Sequence, residues 1–311
     1  MKKSHIPRKF PRPFVSARYR QADDTKDGVF RVVLITSGSV ASIKVPDIVG
    51  ALVKTPNIDV QVVATKASSH FYTQADVDKS VRNAYSISEN LGGDEIGVRV
   101  WTDHDEWSDW HKVGEPILHI ELRRWADLVV IAPCSADLLA KIAGGICDSL
   151  ATSLLRALSP STPVILCPAM NTHMYQHKLT AKHLAFVQDE LEYLISGPQG
   201  SGQLACGDNG PGKMTDWRDI VAFVQKFALM HQNSASAVTD PQLSSKEPGV
   251  SQPGPSTLSA PNLSSPASDH PNNFHKWAAS LLLDNSGHSQ SSTGVVDQRT
   301  STDGHGDDGR T

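Results

Sequence analysis

Five short apolar runs, separated by polar turns and helical patterns, decide what this chain can fold into. They are 31–36 (RVVLIT), 59–65 (DVQVVAT), 127–132 (DLVVIA), 163–167 (PVILC) and 192–196 (EYLIS). Each is rich in β-branched residues and continuous rather than alternating, the pattern of a strand covered on both faces. Segments 43–54, 117–125, 136–143, 148–158, 177–190 and 216–230 carry helical spacing between or after those runs. Strand, helix, strand repetition specifies an α/β protein, a three-layer α/β/α sandwich on a parallel sheet. Residues 74–115 fit this rhythm poorly. They are polar, hold Trp101, Trp107 and Trp110 among several acids, and read as an excursion from the sheet.

The pattern occupies only the middle of the chain, so residues 29–231 are expected to form one domain of ordinary size. Residues 1–28 carry eight basic against three acidic side chains and three helix-interrupting prolines, Pro7, Pro11 and Pro13, which predicts a flexible basic arm. Residues 232–311 turn to Ser, Pro, Gly, Asn and His without apolar periodicity, which predicts a disordered Ser/Pro-rich tail. One island in it, 274–283 (FHKWAASLLL), has the make-up of a short helix for a protein partner, although an idle sticky turn reads as well.

A formal net charge of −4 gives no ground for a nucleic-acid partner. No run approaches the roughly 20 apolar residues of a membrane span, and the first residues lack the apolar core of a secretory signal. Cys134, Cys147, Cys167 and Cys206 have neither CxxC spacing nor scaffold density, so a reducing, cytoplasmic setting is expected.

In open parallel sheets ligands bind beyond the carboxyl ends of the strands, so the loops there carry the functional reading. The first, 36–41 (TSGSVA), offers hydroxyls and backbone N–H groups to an anion, with plain turn chemistry as the alternative. The second, 65–69 (TKASS), repeats the hydroxyls, and helix capping is its bland explanation. Together they could cradle one phosphate. The third, 132–137 (APCSAD), leads to small residues at 143–145, where backbone can approach a flat ligand or another subunit. The fourth, 167–174 (CPAMNTHM), sets an amide and two thioethers just past a buried run, which packing alone does not explain. Residues 197–214 are too glycine-rich for a rigid core element and read as a lid presenting Cys206, Asp208 and Lys213.

His119 lies on the inner face of an apolar helical pattern, where a satisfied core histidine is the commoner outcome. His173 and His177 have i, i+4 spacing but no intervening glutamate of the HExxH kind and no third ligand, so no metal is expected.

Five ordered motifs now stand together: GSVASIK at 38–44, ILHIELRRWAD at 117–127, APCSADLLAKIAGGICDSL at 132–150, PAMNTHM at 168–174 and ACGDNGPGKM at 205–214. In this combination the chain resembles the homo-oligomeric flavin-containing cysteine decarboxylases, in their fungal and plant branch. The resemblance implies a flavodoxin-like or Rossmann-like fold, bound FMN, and a homotrimer with active sites between neighbouring subunits. It also implies decarboxylation of 4′-phosphopantothenoylcysteine to 4′-phosphopantetheine in coenzyme A biosynthesis. Carried over motif by motif, Gly38, Ser39, Thr65, Ser68, Ser135, Ala136, Asp137, Leu138 and Ala169 would bind the cofactor. His119 and Cys206 would be catalytic, and Asn171, Met174, Ala205, Gly207 and Lys213 would meet substrate. Many relatives have Ser-Ala-Asn-Thr where this chain has Ser135-Ala136-Asp137-Leu138. Some fungal relatives with such tails are instead regulatory subunits, inhibiting a type 1 protein phosphatase or completing a hetero-oligomeric decarboxylase. Flavin prenyltransferases share the fold but should lack the Cys206 segment.

Overall fold

The computed structural model describes residues 6–19, 28–88, 93–199, 202–203, 207 and 209–237. Six parallel strands make its sheet: β1 (Phe30–Thr36), β2 (Ile58–Ala64), β3 (Val100–Trp101), β4 (Leu128–Cys134), β5 (Val164–Pro168) and β6 (Leu194–Ile195). Their order across the sheet is β3-β2-β1-β4-β5-β6. Val32 therefore sits between Val60 of β2 and Leu128 of β4. The direction of winding reverses between β1 and β4, which is where an open α/β sheet has its ligand crevice.

Every residue of β1 and β4 is buried, because helices cover both faces. Along β1, Val32 and Leu34 pack beneath α1 (Val45–Leu52), α2 (Gln74–Ala84) and α9 (Trp217–Ala237). Val33 and Ile35 point the other way, into a core with α4 (Leu118–Trp125), α5 (Ala136–Gly144), α6 (Leu150–Ala157) and α8 (Lys178–Asp189). Removing each such aliphatic side chain from water contributes about 1.5–3 kcal/mol, so the uninterrupted apolar runs are themselves the folding signal. Two further short helices, α3 (Asp103–Ser108) and α7 (Thr172–Gln176), lie close to the strand ends.

The α/β sandwich expected from the sequence is observed, with three differences. Residues 74–115 are part of the sheet system, since α2 packs on α1 and β3 extends the edge beyond β2. The buried indole of Trp101 donates to Gln61 Oε1 at 2.9 Å, which ties that edge to β2. Helix α9 continues to Ala237, past the boundary expected at 231. The third difference is a correction. The segment expected to be a flexible basic arm is, over residues 6–19, a strap across the body. Phe14 is buried against Trp101 and Trp125, with ring centroids 5.7 and 6.2 Å away. The basic residues find acids on the body, as in Lys9–Asp78 and Arg12–Asp105 at 2.5 and 2.8 Å. The tail and its 274–283 island lie outside the described residues.

Buried hydroxyls below the second loop make the fold alkali-sensitive. The Tyr72 hydroxyl lies 2.8 Å from Thr36 Oγ1, and burial pushes its pKa up to about 12. Unfolded tyrosine ionises near pH 10, so the unfolded chain binds fewer protons than the folded one between about pH 10 and 12, and stability falls as pH rises through that window. Melting temperatures measured from pH 8 to 11 are expected to fall above pH 10, and less steeply for Tyr72→Phe. Equal slopes would remove Tyr72 as the cause.

Candidate active site

The crevice between β1 and β4 is closed at its floor by one hydroxyl. Ser37 Oγ donates to the carbonyl of Pro133 at 2.8 Å and accepts from Ser135 N–H at 2.7 Å. Both bonds join the loop after β1 to the loop after β4, so these loops are held in mutual register. Ser37 is missing from the residues singled out by motif, because its partners lie almost 100 positions away. Its neighbour Gly38 is exposed and faces the second loop. A Cβ built there would stand 2.8 Å from Ala67 Cβ, so only glycine lets the two loops approach this closely.

The remaining cofactor candidates divide in two. Ser39 is half-buried and precedes a short helical turn without capping it by its side chain. Thr65 and Ala136 are half-buried beside it in the fold, and Asp137 is exposed and pairs with Lys141 at 3.5 Å. Ser135 caps α5, accepting from Leu138 N–H at 3.3 Å. Ser68, Leu138 and Ala169 have side chains engaged within the fold by contrast. The Ser68 hydroxyl donates to the Thr65 carbonyl at 2.8 Å and accepts from Thr36 at 3.0 Å, while the Thr65 hydroxyl accepts from Ser68 N–H at 3.4 Å. Leu138 and Ala169 have their side chains in the core.

On the far side of the crevice Asn171 caps α7, its Oδ1 accepting from His173 N–H at 2.8 Å. The end of the glycine-rich segment lies on this loop. Met170 N–H donates to the Gly212 carbonyl at 3.0 Å, and Gln199 N–H to that of Lys213 at 3.0 Å. Gly212 has φ +125°, and a Cβ there would meet the Met170 carbonyl at 2.3 Å, so glycine is required. Lys213, Asn171 and the half-exposed Met174 are thus brought to one loop cluster. Gly207 is exposed, with φ +90°. Ala205 and Cys206 lie outside the described residues. Of the other cysteines, Cys134 and Cys167 are buried and stay thiols, since burial raises both and pushes Cys167 up to about 12.

His119 stands at the start of α4, and its hydrogen bonds run to a residue that motif reading missed. Its ring Nδ1 lies 2.5 Å from Glu106 Oε1, and its backbone N–H donates to Glu106 Oε2 at 3.1 Å. Glu106 is only 4% exposed, on α3. Among the described residues, no hydrogen bond joins His119 to the crevice loops of its own chain.

A switch-point crevice floored by serine hydroxyls, with a glycine held against the neighbouring loop, suits a phosphate-bearing cofactor. The family model described as Flavoprotein matches residues 20–229, about two thirds of the sequence. The chain belongs to the Flavoprotein family. This Flavoprotein chain is 40% identical to the phosphopantothenoylcysteine decarboxylase of Mus musculus over 202 residues, 65% of this chain and 89% of the mouse protein. HAL3 from Cryptococcus neoformans superposes with a TM-score of 0.61 at 75% identity, covering 66% of this chain and 100% of that one. The FMN binding protein AtHal3 superposes with a TM-score of 0.53 at 41% identity, covering 63% and 95%. Flavoprotein membership agrees with the resemblance read from the motifs and with the flavodoxin-like sheet. No helix among the described residues is long and apolar enough to cross a membrane.

Proposed function

We propose that this protein is an FMN-dependent decarboxylase of 4′-phosphopantothenoylcysteine, forming 4′-phosphopantetheine for coenzyme A biosynthesis in the cytoplasm. The observation that carries the reading is coverage. One chain spans 89% of a decarboxylase while holding His119, Asn171 and Cys206 together. The residues present fit the cofactor, because Gly38, packed too closely on Ala67 for any side chain, presents bare backbone beside the Ser39 and Thr65 hydroxyls at the strand ends. Ser39, Thr65 and the Ser135–Ala136 turn are the groups that would hold FMN. When bound, FMN would supply a reversible two-electron acceptor, taking two electrons as the substrate thiol rises to the oxidation level of a thioaldehyde, which gives the neighbouring carboxylate an electron sink, and returning them once carbon dioxide has left, so that no net oxidation occurs.

The chain's own groups do the rest. His119 Nε2, left bare when Nδ1–H faces Glu106, takes the thiol proton. The Asn171 amide binds the substrate carboxylate. The Lys213 ammonium, exposed at the same loop cluster, attracts the substrate phosphate. Cys206 returns a proton to carbon once carbon dioxide has left. Among the described residues His119 bonds to Glu106 and to none of its own crevice loops, which supports a homotrimer in which His119 serves a neighbour's crevice. So do the exposed apolar side chains of Ile146, Leu179 and Phe186.

The deciding experiment gives the purified holoprotein its substrate and follows product by mass spectrometry. Product with carbon dioxide is expected. Bound FMN without product would replace this reading with the regulatory one. Asn171→Asp sets a negative charge against the substrate carboxylate, and KM is expected to rise at least tenfold with FMN still bound. An unchanged KM would remove Asn171 from the substrate site.

A further inference from the structure

We infer that Glu106 is the positioning residue of His119, and that the strap of residues 6–19 is the device that keeps Glu106 at its station. The inference rests on the decarboxylase reading for its kinetic consequences and on geometry alone for its structural ones.

Glu106 spends both carboxylate oxygens on a single residue. Oε1 faces the His119 ring at Nδ1, 2.5 Å away, and Oε2 accepts from the His119 backbone N–H at 3.1 Å. A carboxylate only accepts, so the ring nitrogen facing it carries the hydrogen. In the neutral imidazole that leaves Nε2 without one, ready to take a proton from substrate. The second contact pins the backbone of the same residue, which limits the ring to one approach. A glutamate only 4% exposed is costly to desolvate and persists only where its hydrogen bonds are made.

Helix α3, which carries Glu106, has six residues and is too short to be stable by itself. It is held from outside. Asp103 accepts from Leu150 N–H of α6 at 2.8 Å. On the other side the strap takes hold through Arg12, whose Nη1 and Nε lie 2.8 Å from Asp105 and Asp109 and which also donates to Ser108. Four residues further on, Ser16 donates from both N–H and Oγ to the buried Glu121 of α4 at 2.7 Å. Phe14 fills the gap between these anchors, against Trp101 just before α3 and Trp125 at the end of α4. The strap therefore fastens the helix bearing Glu106 to the helix bearing His119. It lies before residue 20, outside the span that the family model matches.

A purely structural role for Glu106, capping the start of α4, predicts a different response to substitution. In Glu106→Gln the amide oxygen still accepts from the His119 backbone, but the amide nitrogen now donates to Nδ1 and drives the ring hydrogen to Nε2. Expected for this variant is a fall in kcat of about 100-fold or more with KM within threefold, and unchanged FMN content and melting temperature. Solid-state ¹⁵N spectra of the histidine-labelled holoprotein, with His119 assigned by difference from His119→Asn, are expected to show protonated Nδ1 and bare Nε2. The pattern reverses in Glu106→Gln. Arg12→Ala loosens α3 and is expected to lower kcat about tenfold, yet to add nothing on top of Glu106→Gln. A wild-type His119 protonated at Nε2, or a Glu106→Gln kcat within threefold of wild type, overturns the positioning role. Full kcat in Arg12→Ala overturns the role of the strap. If the wild-type protein makes no product at all, the decarboxylase reading fails while the ¹⁵N spectra still decide the positioning.

Discussion

Replacing His119 with asparagine is expected to lower kcat for decarboxylation by about 10²- to 10⁴-fold, the usual worth of a general base. Asparagine is the informative choice because its amide N–H stands near the place of Nδ1–H. The buried Glu106 carboxylate keeps a donor there, and the backbone bond at 3.1 Å is untouched. Only the group corresponding to Nε2 is lost. FMN absorbance and melting temperature should therefore match the wild type, and KM should change little, since the interaction removed is made in the transition state. Stopped-flow and steady-state kinetics on the holoprotein check this. Activity within a few-fold of wild type would return His119 to the class of satisfied core histidines.

Phe14→Ala is expected to cost about 3–5 kcal/mol of stability, as large aromatic truncations in cores do. Phe14 is 2% exposed, stacked with Phe10 and Tyr19 at 5.5 and 5.7 Å and packed on two buried indoles. The cavity left behind cannot collapse easily, because Trp101 is fixed by its bond to Gln61 and Trp125 is wholly buried at the end of α4. Denaturant titration at fixed protein concentration should show a lower midpoint with the slope unchanged. Limited proteolysis should cut the variant within residues 6–19 first. A loss under 1 kcal/mol would mean that the strap contributes no packing.

The sheet was legible because burial on both faces leaves a local mark. RVVLIT needs no distant partner to be read as a covered strand, and the parallel, helix-covered sheet follows from strand and helix alternation. The edge strand β3 left no such mark, being two residues long in polar surroundings. Residues 6–19 were misread for a different reason. Prolines and basic residues describe a solvated arm when only neighbours in sequence are considered, whereas Ser16 reaches an acid 105 positions away. In the site, motifs found the loops but not Ser37 or Glu106. Nothing in DHDEWS says which acid turns inward, and hydropathy would bury Trp107 and expose Glu106. The structure does the reverse, with Trp107 64% exposed and Glu106 4%. The sequence signal that locates that helix is the Thr102–Asp105 capping box at its start.

The course of α9 has a consequence for anything attached to the carboxyl side of the domain. The helix starts near Thr215, which is hydrogen-bonded to Ser196 just past the end of β6, and its His231 ring lies 5.3 Å from that of Phe30 at the opening of β1. Its 21 residues span about 31 Å, so it carries the chain from the crevice pole of the molecule to the opposite one. A label, a surface anchor or a recruited protein joined after Ala237 is thus mounted on the rear of the enzyme. Traffic of small molecules at the front does not pass it, and cargo can be changed there without rebuilding the entrance.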